Sequence, residues 1–248
     1  MNAPETTMTI LTDADARRLI RGLSQPFDLI AELMYATGLR LPEILQLRAK
    51  DIDAPCAALY VRRVNGANDR FVAVPPELRA DLRLQLEAAR KQHTADLRND
   101  IGTILPLDID ERLPLARTRW CWQYVFPSAK TVIDPFTQLP SRTHLSPTAC
   151  QRALQTAAHR AGLGTSIHSH SLRHAFAARL VERGEDLRTI QSHLGHDDLQ
   201  TTALYARQLE ATKTAEPVEV DRAWITRFVP EQNPINLFAR IRAMAAML

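Results

Sequence analysis

Apolar residues recur every three or four positions along most of this chain, which predicts a mainly helical protein. Near the N-terminus the spacing predicts helices over 13–23 and 27–37, and Gly38 is a natural stop for the second. Pro42 and Ser146-Pro147 are typical helix beginnings further along. The remaining predicted helices cover about 43–49, 76–97, 146–161, 171–183, 187–194, 198–208 and 236–248.

Two segments instead have the composition of strands. Residues 58–64 and 70–75 are rich in Val, Leu, Tyr and Phe, and Asn65-Gly66 between them is typical of a hairpin turn. Residues 100–143 show no sustained period and hold five prolines, so we predict a long, partly packed insertion there. The predicted fold class is therefore mainly α (α+β), with one small antiparallel β-sheet.

The composition is that of an ordinary globular chain: 248 residues, 45% hydrophobic and 24% charged, with a net charge of +3. No apolar run approaches the roughly 20 residues that cross a bilayer, and the first residues lack a signal-peptide pattern. We therefore expect a cytoplasmic protein without a membrane partner. All but four of the 31 basic residues are arginine, which binds phosphate bidentately, although high-GC coding bias produces the same excess.

The densest polar cluster lies where a predicted helix begins, at His168, His170, Arg173 and His174. The first N–H groups of a helix lack partners and carry partial positive charge, so this position suits a phosphate oxyanion. Arg173 follows His170 by three residues, so both side chains can face one point. The histidines also suggest zinc, but they match no H-E-x-x-H pattern and no cysteine lies nearby. We predict no metal.

Three further motifs stand at a distance from this cluster. They are Ala36-Thr37-Gly38-Leu39-Arg40 before Pro42-Glu43, Leu194-Gly195-His196, and Tyr205 after Thr201-Thr202. With His170-x-x-Arg173-His174, in this order and spacing, they resemble the catalytic domain of the tyrosine recombinases (phage integrase family) over about 9–207. Leu105-Pro106 and the run from Trp120 to Ser128 are similar to the integron integrase branch.

The resemblance implies the helical catalytic fold of this family and a site-specific recombinase or integrase that cuts and rejoins DNA through a 3′-phosphotyrosyl intermediate. Tyr205 is then the nucleophile, Arg40 and Arg173 clamp the non-bridging phosphate oxygens, and His170 accepts the proton. His196 adds a hydrogen bond to the phosphoryl group. Free tyrosine has a pKa of about 10 and needs such a cationic site to ionise near neutral pH. No cofactor is implied.

One departure from the family lies in the predicted hairpin turn. There the family has a lysine that protonates the leaving 5′ oxygen, whereas this chain has Asn65, with Asn68 at a second nearby lysine position. Asparagine has no labile proton, and general acid catalysis contributes about 10²–10⁴ in rate. Arg62, Arg63 and Arg70 are expected to contact DNA here, as are Arg40, Arg173 and His174 at the phosphate, but guanidinium is a poor acid.

The second departure concerns domains. Related recombinases carry a helical core-binding domain before the catalytic one, and too few residues precede Arg40 to hold it. We expect a catalytic domain over 1–210, a linker and C-terminal helix over 211–248, and DNA binding that is lost at lower salt. The final helix is expected either to dock on a neighbouring subunit, giving self-association on DNA, or to fold back on its own core.

The leading hypothesis is thus a tyrosine recombinase acting on double-stranded or folded single-stranded DNA in the bacterial cytoplasm, at the nucleoid when bound. The alternative is a catalytically impaired recombinase-like module that binds DNA or a partner integrase, because Asn65 replaces the acid. A third, more distant hypothesis is a metal-dependent hydrolase built on the His168–His174 cluster.

Overall fold

The computed structural model describes residues 11–62, 69–106, 109, 112–164, 167–186, 189–190 and 194 of the 248-residue chain. Contacts divide the chain into two units, Met1–Ala211 and Thr212–Leu248, and all described residues belong to the first. The predicted helices at 198–208 and 236–248 lie outside the described residues. No helix within the described ranges is long and apolar enough to cross a membrane.

Three helices open the described part: α1 (Asp13–Arg21), α2 (Phe27–Thr37) and α3 (Leu41–Leu45). Thr12 caps α1 by accepting the N–H of Asp15 at 3.1 Å. Gly38 ends α2 with φ of +68°, a conformation that favours glycine. The first two predicted helices are confirmed. The third was wrong in extent, because the chain leaves the helix after Leu45 and Arg48 turns inward to bond with the insertion.

The predicted β-hairpin is confirmed as two antiparallel strands, β1 (Ala58–Val61) and β2 (Arg70–Ala73). Its register pairs Ala58 with Ala73 and Val61 with Arg70. A 3₁₀ turn then leads into the long helix α4 (Arg79–Leu97), as the spacing predicted. The later helices are confirmed as α5 (Pro147–Arg160) and α6 (Ser169–Glu182), the latter beginning two residues earlier than predicted.

The prediction of an irregular insertion with only one sheet in the protein was wrong. The insertion contains a second sheet of β3 (Gly102–Thr103), β4 (Pro127–Ile133) and β5 (Pro140–His144). The strand order is β3-β5-β4, with β3 parallel and β4 antiparallel to β5. Two of the prolines occupy the first residue of a strand, where a missing N–H is tolerated. The proline-rich composition therefore concealed the sheet.

Two buried arginines attach the insertion to the helices. Arg48 donates to the carbonyl oxygens of Trp122 at 2.6 Å and Ile104 at 3.0 Å, and its guanidinium carbon lies 4.2 Å from the ring centre of Tyr124. Arg142 of β5 forms an ion pair with Asp96 of α4, and its side chain is 5% exposed. Because both guanidinium groups are satisfied internally, their burial is compatible with a stable fold.

The apolar core is divided into a large cluster and smaller ones. The large cluster gathers residues from α1, α2, α3, α5 and the first hairpin, including Leu19, Leu33, Ile44, Leu59 and Leu154. A separate small cluster, here called the satellite core, consists of Phe176, Ala177, Leu180, Ile190 and Leu194. The satellite core holds one side of α6 against the last described residues.

Candidate active site

The bend between α2 and α3 places Arg40 at the surface. Gly38 reverses the chain, Leu39 is fully buried, and Arg40 then has an extended backbone before α3. The N–H of Arg40 donates to Oε2 of Glu43 at 2.7 Å. Its Nη1 lies 3.5 Å from Oε1 of the same carboxylate, and 37% of the Arg40 side chain is exposed. The base of this side chain is thus fixed while its charged end meets solvent.

Glu43 joins the bend to the hairpin. Arg70, the first residue of β2, donates to Oε1 of Glu43 at 2.9 Å and to Oε2 at 3.2 Å. Burial raises the pKa of the Glu43 carboxyl, but hydrogen bonds and positive charge from Arg70 and Arg40 outweigh burial, so that pKa lies below its ordinary value. We did not predict Glu43 as a site residue. The sequence signal that indicates a role for Glu43 is its position three residues after Arg40, the N-cap of α3, where a glutamate side chain accepts the N–H of the N-cap residue.

The other side of the hairpin base has a matching ion pair. Arg62, just after β1, donates to both oxygens of the Asp51 carboxylate, with Nη1 at 2.9 Å from Oδ2. Two of the arginines predicted to contact DNA, Arg62 and Arg70, are therefore paired with carboxylates in this structure. Arg63, Asn65 and Asn68 lie outside the described residues.

The beginning of α6 carries the predicted histidine cluster. The N–H of His168 donates to the Ser171 hydroxyl at 3.3 Å, and the N–H of Ser169 donates to the side-chain oxygen of Gln151 in α5 at 3.1 Å. The ring centres of His168 and His170 are 6.0 Å apart, and those of His170 and His174 are 6.2 Å apart. Helix α5 thereby fixes the direction in which the histidines project.

The charge of His170 is set by its neighbours. Partial burial lowers the pKa of His170, and the positive charges of His168, Arg173 and Arg40 lower it further. The structure thus brings His170 within electrostatic reach of both predicted arginines, one from the bend and one from α6. With its pKa below the usual 6.5, the imidazole is mainly neutral at pH 7 and can accept a proton.

Arg173 lies deeper than Arg40. The residue is 2% exposed, its Nη1 donates to the carbonyl oxygen of Gly38, and its Nη2 donates to that of Leu194 at 2.6 Å. These bonds connect α6 to the bend that carries Arg40 and to the last described residue. His196 and Tyr205, predicted as hydrogen-bond donor and nucleophile, lie outside the described residues.

A cleft of about 220 Å³ adjoins the site. Its lining includes carboxylates and side chains of the hairpin base, which are Glu43, Asp51, Tyr60 and Arg62. Tyr124 and His144 line it from the side of the insertion. Among the described residues, no group of three or more His, Cys, Asp and Glu is placed to hold a metal ion.

Comparison with solved structures identifies the fold. A crystal structure of XerA recombinase superposes with a TM-score of 0.57 at 24% identity, covering 86% of this chain and 66% of the other. The XerH site-specific recombinase in a post-cleavage complex with its palindromic difH substrate gives a TM-score of 0.58 at 18% identity, covering 87% and 55%. At such identities the likeness establishes the fold, which is that of a recombinase catalytic region.

Sequence comparison gives the family. Residues 9–212 match the profile of the phage integrase family, and the chain belongs to that family. An "Integrase/recombinase" of Escherichia coli is 36% identical over 202 residues, covering 81% of this chain and 60% of the relative. "Tyrosine recombinase XerA" of Pyrococcus furiosus is 29% identical over 221 residues, covering 87% and 63%. The chain thus spans less than two thirds of these relatives.

Proposed function

We propose that this protein is a site-specific DNA recombinase that cuts and rejoins strands through a 3′-phosphotyrosyl intermediate on Tyr205. One observation carries the proposal: Arg173 bonds to the bend that carries Arg40, and His170 lies within electrostatic reach of both arginines. Leu194, which accepts a hydrogen bond from Arg173, is followed directly in sequence by Gly195-His196. Membership of the phage integrase family supports the same enzymatic class.

Each residue has a chemical task in this proposal. Arg40 and Arg173 neutralise the charge that develops on the non-bridging oxygens, and removing one such donor typically costs about 10²–10³ in rate. Neutral His170 takes the proton from the Tyr205 hydroxyl as that oxygen attacks phosphorus. The bond from phosphorus to the 5′ oxygen then breaks, and His196 steadies the phosphoryl group. No metal or other cofactor takes part in these steps.

The proton for the leaving 5′ oxygen has no obvious donor side chain in this protein, because Asn65 occupies the family's lysine position. In this proposal water supplies that proton, and the enzyme is slower than recombinases with the lysine. Arg62 and Arg63 contact backbone phosphates beside the turn, with His174 nearer the scissile phosphate. Arg70 contacts the DNA backbone while remaining paired with Glu43.

The partner in this proposal is double-stranded DNA or folded single-stranded DNA. We further propose that the chain belongs to the integron integrase branch of the family, because the run from Trp120 to Ser128 is similar in sequence to that branch. Residues 1–210 form the catalytic domain, and residues 211–248 provide a linker and a helix through which copies associate on DNA. Titration of DNA retention against salt concentration measures how many phosphate contacts the protein makes.

The decisive experiment traps the covalent intermediate. The protein is incubated with supercoiled plasmid carrying the gene's own flanking DNA, the reaction is stopped with detergent, and protein-bound DNA is measured. We expect an adduct with the wild type and with Tyr35→Phe, a control at a buried tyrosine of α2, and none with Tyr205→Phe. An adduct that survives Tyr205→Phe contradicts the proposed nucleophile.

The same assay separates the proposal from the impaired binding module. If the wild type binds DNA without forming any adduct and Asn65→Lys restores one, the binding module is supported and the proposed activity fails. If the wild type forms the adduct and Asn65→Lys accelerates it, the proposal holds and the role of that position is established.

A further inference from the structure

Phe176 lies where the bend, α6 and Leu194 meet. A Cβ atom built on Gly38 would be 2.4 Å from Cδ1 of Phe176 and 3.2 Å from Cδ2 of Leu194. The ring therefore occupies the space that a side chain at position 38 would need, directly beside Leu194. Phe176 and Leu194 also belong to the same satellite core. Glycine is required at this position for the approach of the ring as well as for its positive φ.

The same two residues hold Arg173. Its two Nη atoms donate to the carbonyl oxygens of Gly38 and Leu194, and Arg173 lies three residues before Phe176 on one face of α6. The ring thus packs against Gly38 and shares an apolar cluster with Leu194, the two residues whose carbonyl groups the guanidinium joins. A planar guanidinium bound at both ends has little freedom to rotate, so the spacing of the carbonyl groups sets its plane.

We propose that Phe176 is a positioning residue for the reaction, acting through Arg173; this inference rests on the proposed function. The ring fixes the separation of Gly38 and Leu194 and so aims the Arg173 guanidinium at the scissile phosphate. It fixes at the same time the point from which the chain continues to His196. The two carbonyl partners hold the guanidinium in place and themselves add no negative charge beside it.

The first test observes the guanidinium directly. In ¹⁵N NMR spectra of the full chain, we expect resolved Nη–H signals for Arg173 with hindered rotation, assigned by their loss in Arg173→Lys. Phe176→Ala should abolish the hindered signals, and Leu180→Ala, which truncates another residue of the satellite core, should retain them. If Phe176→Ala does not fold, Phe176→Leu takes its place, because it keeps most of the apolar volume without the flat ring.

The second test is a double-mutant cycle on the rate of adduct formation. We expect Phe176→Ala to lower the rate about 10–100-fold, with the Kd for DNA changed less than about threefold. In an Arg173→Lys background the same change should lower the rate less than about threefold further, because the residue through which it acts is already altered. Leu180→Ala should lower the rate by a similar factor in both backgrounds.

The outcomes separate the two proposals. The positioning role is overturned if the hindered Nη–H signals of Arg173 are unchanged in Phe176→Ala. It is also overturned if the two single reductions in adduct rate simply multiply in the double variant. A wild type without Tyr205-dependent adduct ends the proposed function, and the NMR comparison still decides whether Phe176 orients the guanidinium.

Discussion

Arginine serves different purposes in the insertion and at the candidate active site. In the insertion, the 5%-exposed Arg142 side chain donates to the Asp96 carboxylate and to the carbonyl oxygens of Ser128 and Ala129. At the site, 37% of the Arg40 side chain is exposed, and one of its nitrogens approaches Glu43 at 3.5 Å. An arginine enclosed by acceptors holds a structure together, whereas one anchored at its base with an exposed head can meet an incoming anion.

Arg173 shows that burial alone does not separate these purposes. It is as deeply buried as Arg142, and its partners include the carbonyl oxygens of Gly38 and Leu194. A carboxylate cancels the charge of the guanidinium, while a carbonyl group directs it and leaves the charge in place. The bonds to Gly38 and Leu194 therefore hold Arg173 in place without themselves neutralising it.

The largest expected effect comes from breaking the insertion's ion pair. Arg142→Leu leaves Asp96 buried without its countercharge, so we expect the free energy of unfolding to fall by about 3–5 kcal/mol in urea denaturation. Phe136→Ser, at an exposed position between β4 and β5, should change the free energy of unfolding by less than about 0.5 kcal/mol.

A double replacement sharpens the same comparison. Arg142→Leu with Asp96→Leu should recover part of the loss, because replacing a whole buried pair by apolar residues is often nearly neutral. If Arg142→Leu alone is as stable as the wild type, the structural role that we assign to Arg142 is contradicted.

A smaller effect, on rate rather than stability, is expected from Glu43→Gln. The change removes the charge that holds both Arg40 and Arg70, and misplacement of a catalytic group by about 1 Å can cost about 10²-fold. We expect the rate of adduct formation to fall about 10–100-fold with little change in DNA retention. Asp51→Asn, at the other side of the hairpin base, is the control. If it lowers the adduct rate as much as Glu43→Gln does, Glu43 has no special role in holding Arg40.

The smallest expected effect is a pH dependence, of stability through His93 beside the insertion and of the adduct rate through His170 at the candidate active site. Burial is the largest cause lowering the pKa values of both His93, on α4, and His170. The unfolded chain, with its histidine pKa near 6.5, then binds protons before the folded one does. Stability should be complete above about pH 6.5 and decrease as the pH falls through the lower folded pKa values.

Two substitutions assign this dependence. His93→Gln should flatten the decline of unfolding free energy with acid, while the adduct rate still falls below about pH 6.5 because protonated His170 accepts no proton. His170→Gln should lower the adduct rate and flatten its pH profile. An acid profile of the rate unchanged by His170→Gln would exclude His170 as the proton acceptor.

Much of the fold follows from local sequence signals. The bounds of α2 are predictable because its apolar period ends at Gly38, and α5 begins at Pro147 after Ser146. The second sheet was not predictable, because β3 has only two residues and pairs with β5 across the whole insertion. A pairing of this kind leaves no period in either segment.

The site divides in the same way. Arg40, His170 and Arg173 were identified through the resemblance of their motifs to the family, and the structure places His170 within electrostatic reach of both arginines. The carbonyl partners of Arg173 and the double pairing of Glu43 depend on tertiary contacts between distant segments. Arg62 and Arg70 were predicted only as DNA contacts, since their acidic partners lie far away in sequence.

The paired carboxylates at the hairpin base also bear on how such a protein can be re-engineered. Asp51 with Arg62, and Glu43 with Arg70, anchor the chain on both sides of residues 63–68. Both ion pairs lie outside 63–68, so exchanging a residue there leaves the paired side chains themselves unchanged. We therefore expect that a proton donor can replace Asn65 while the two strands stay anchored at their base.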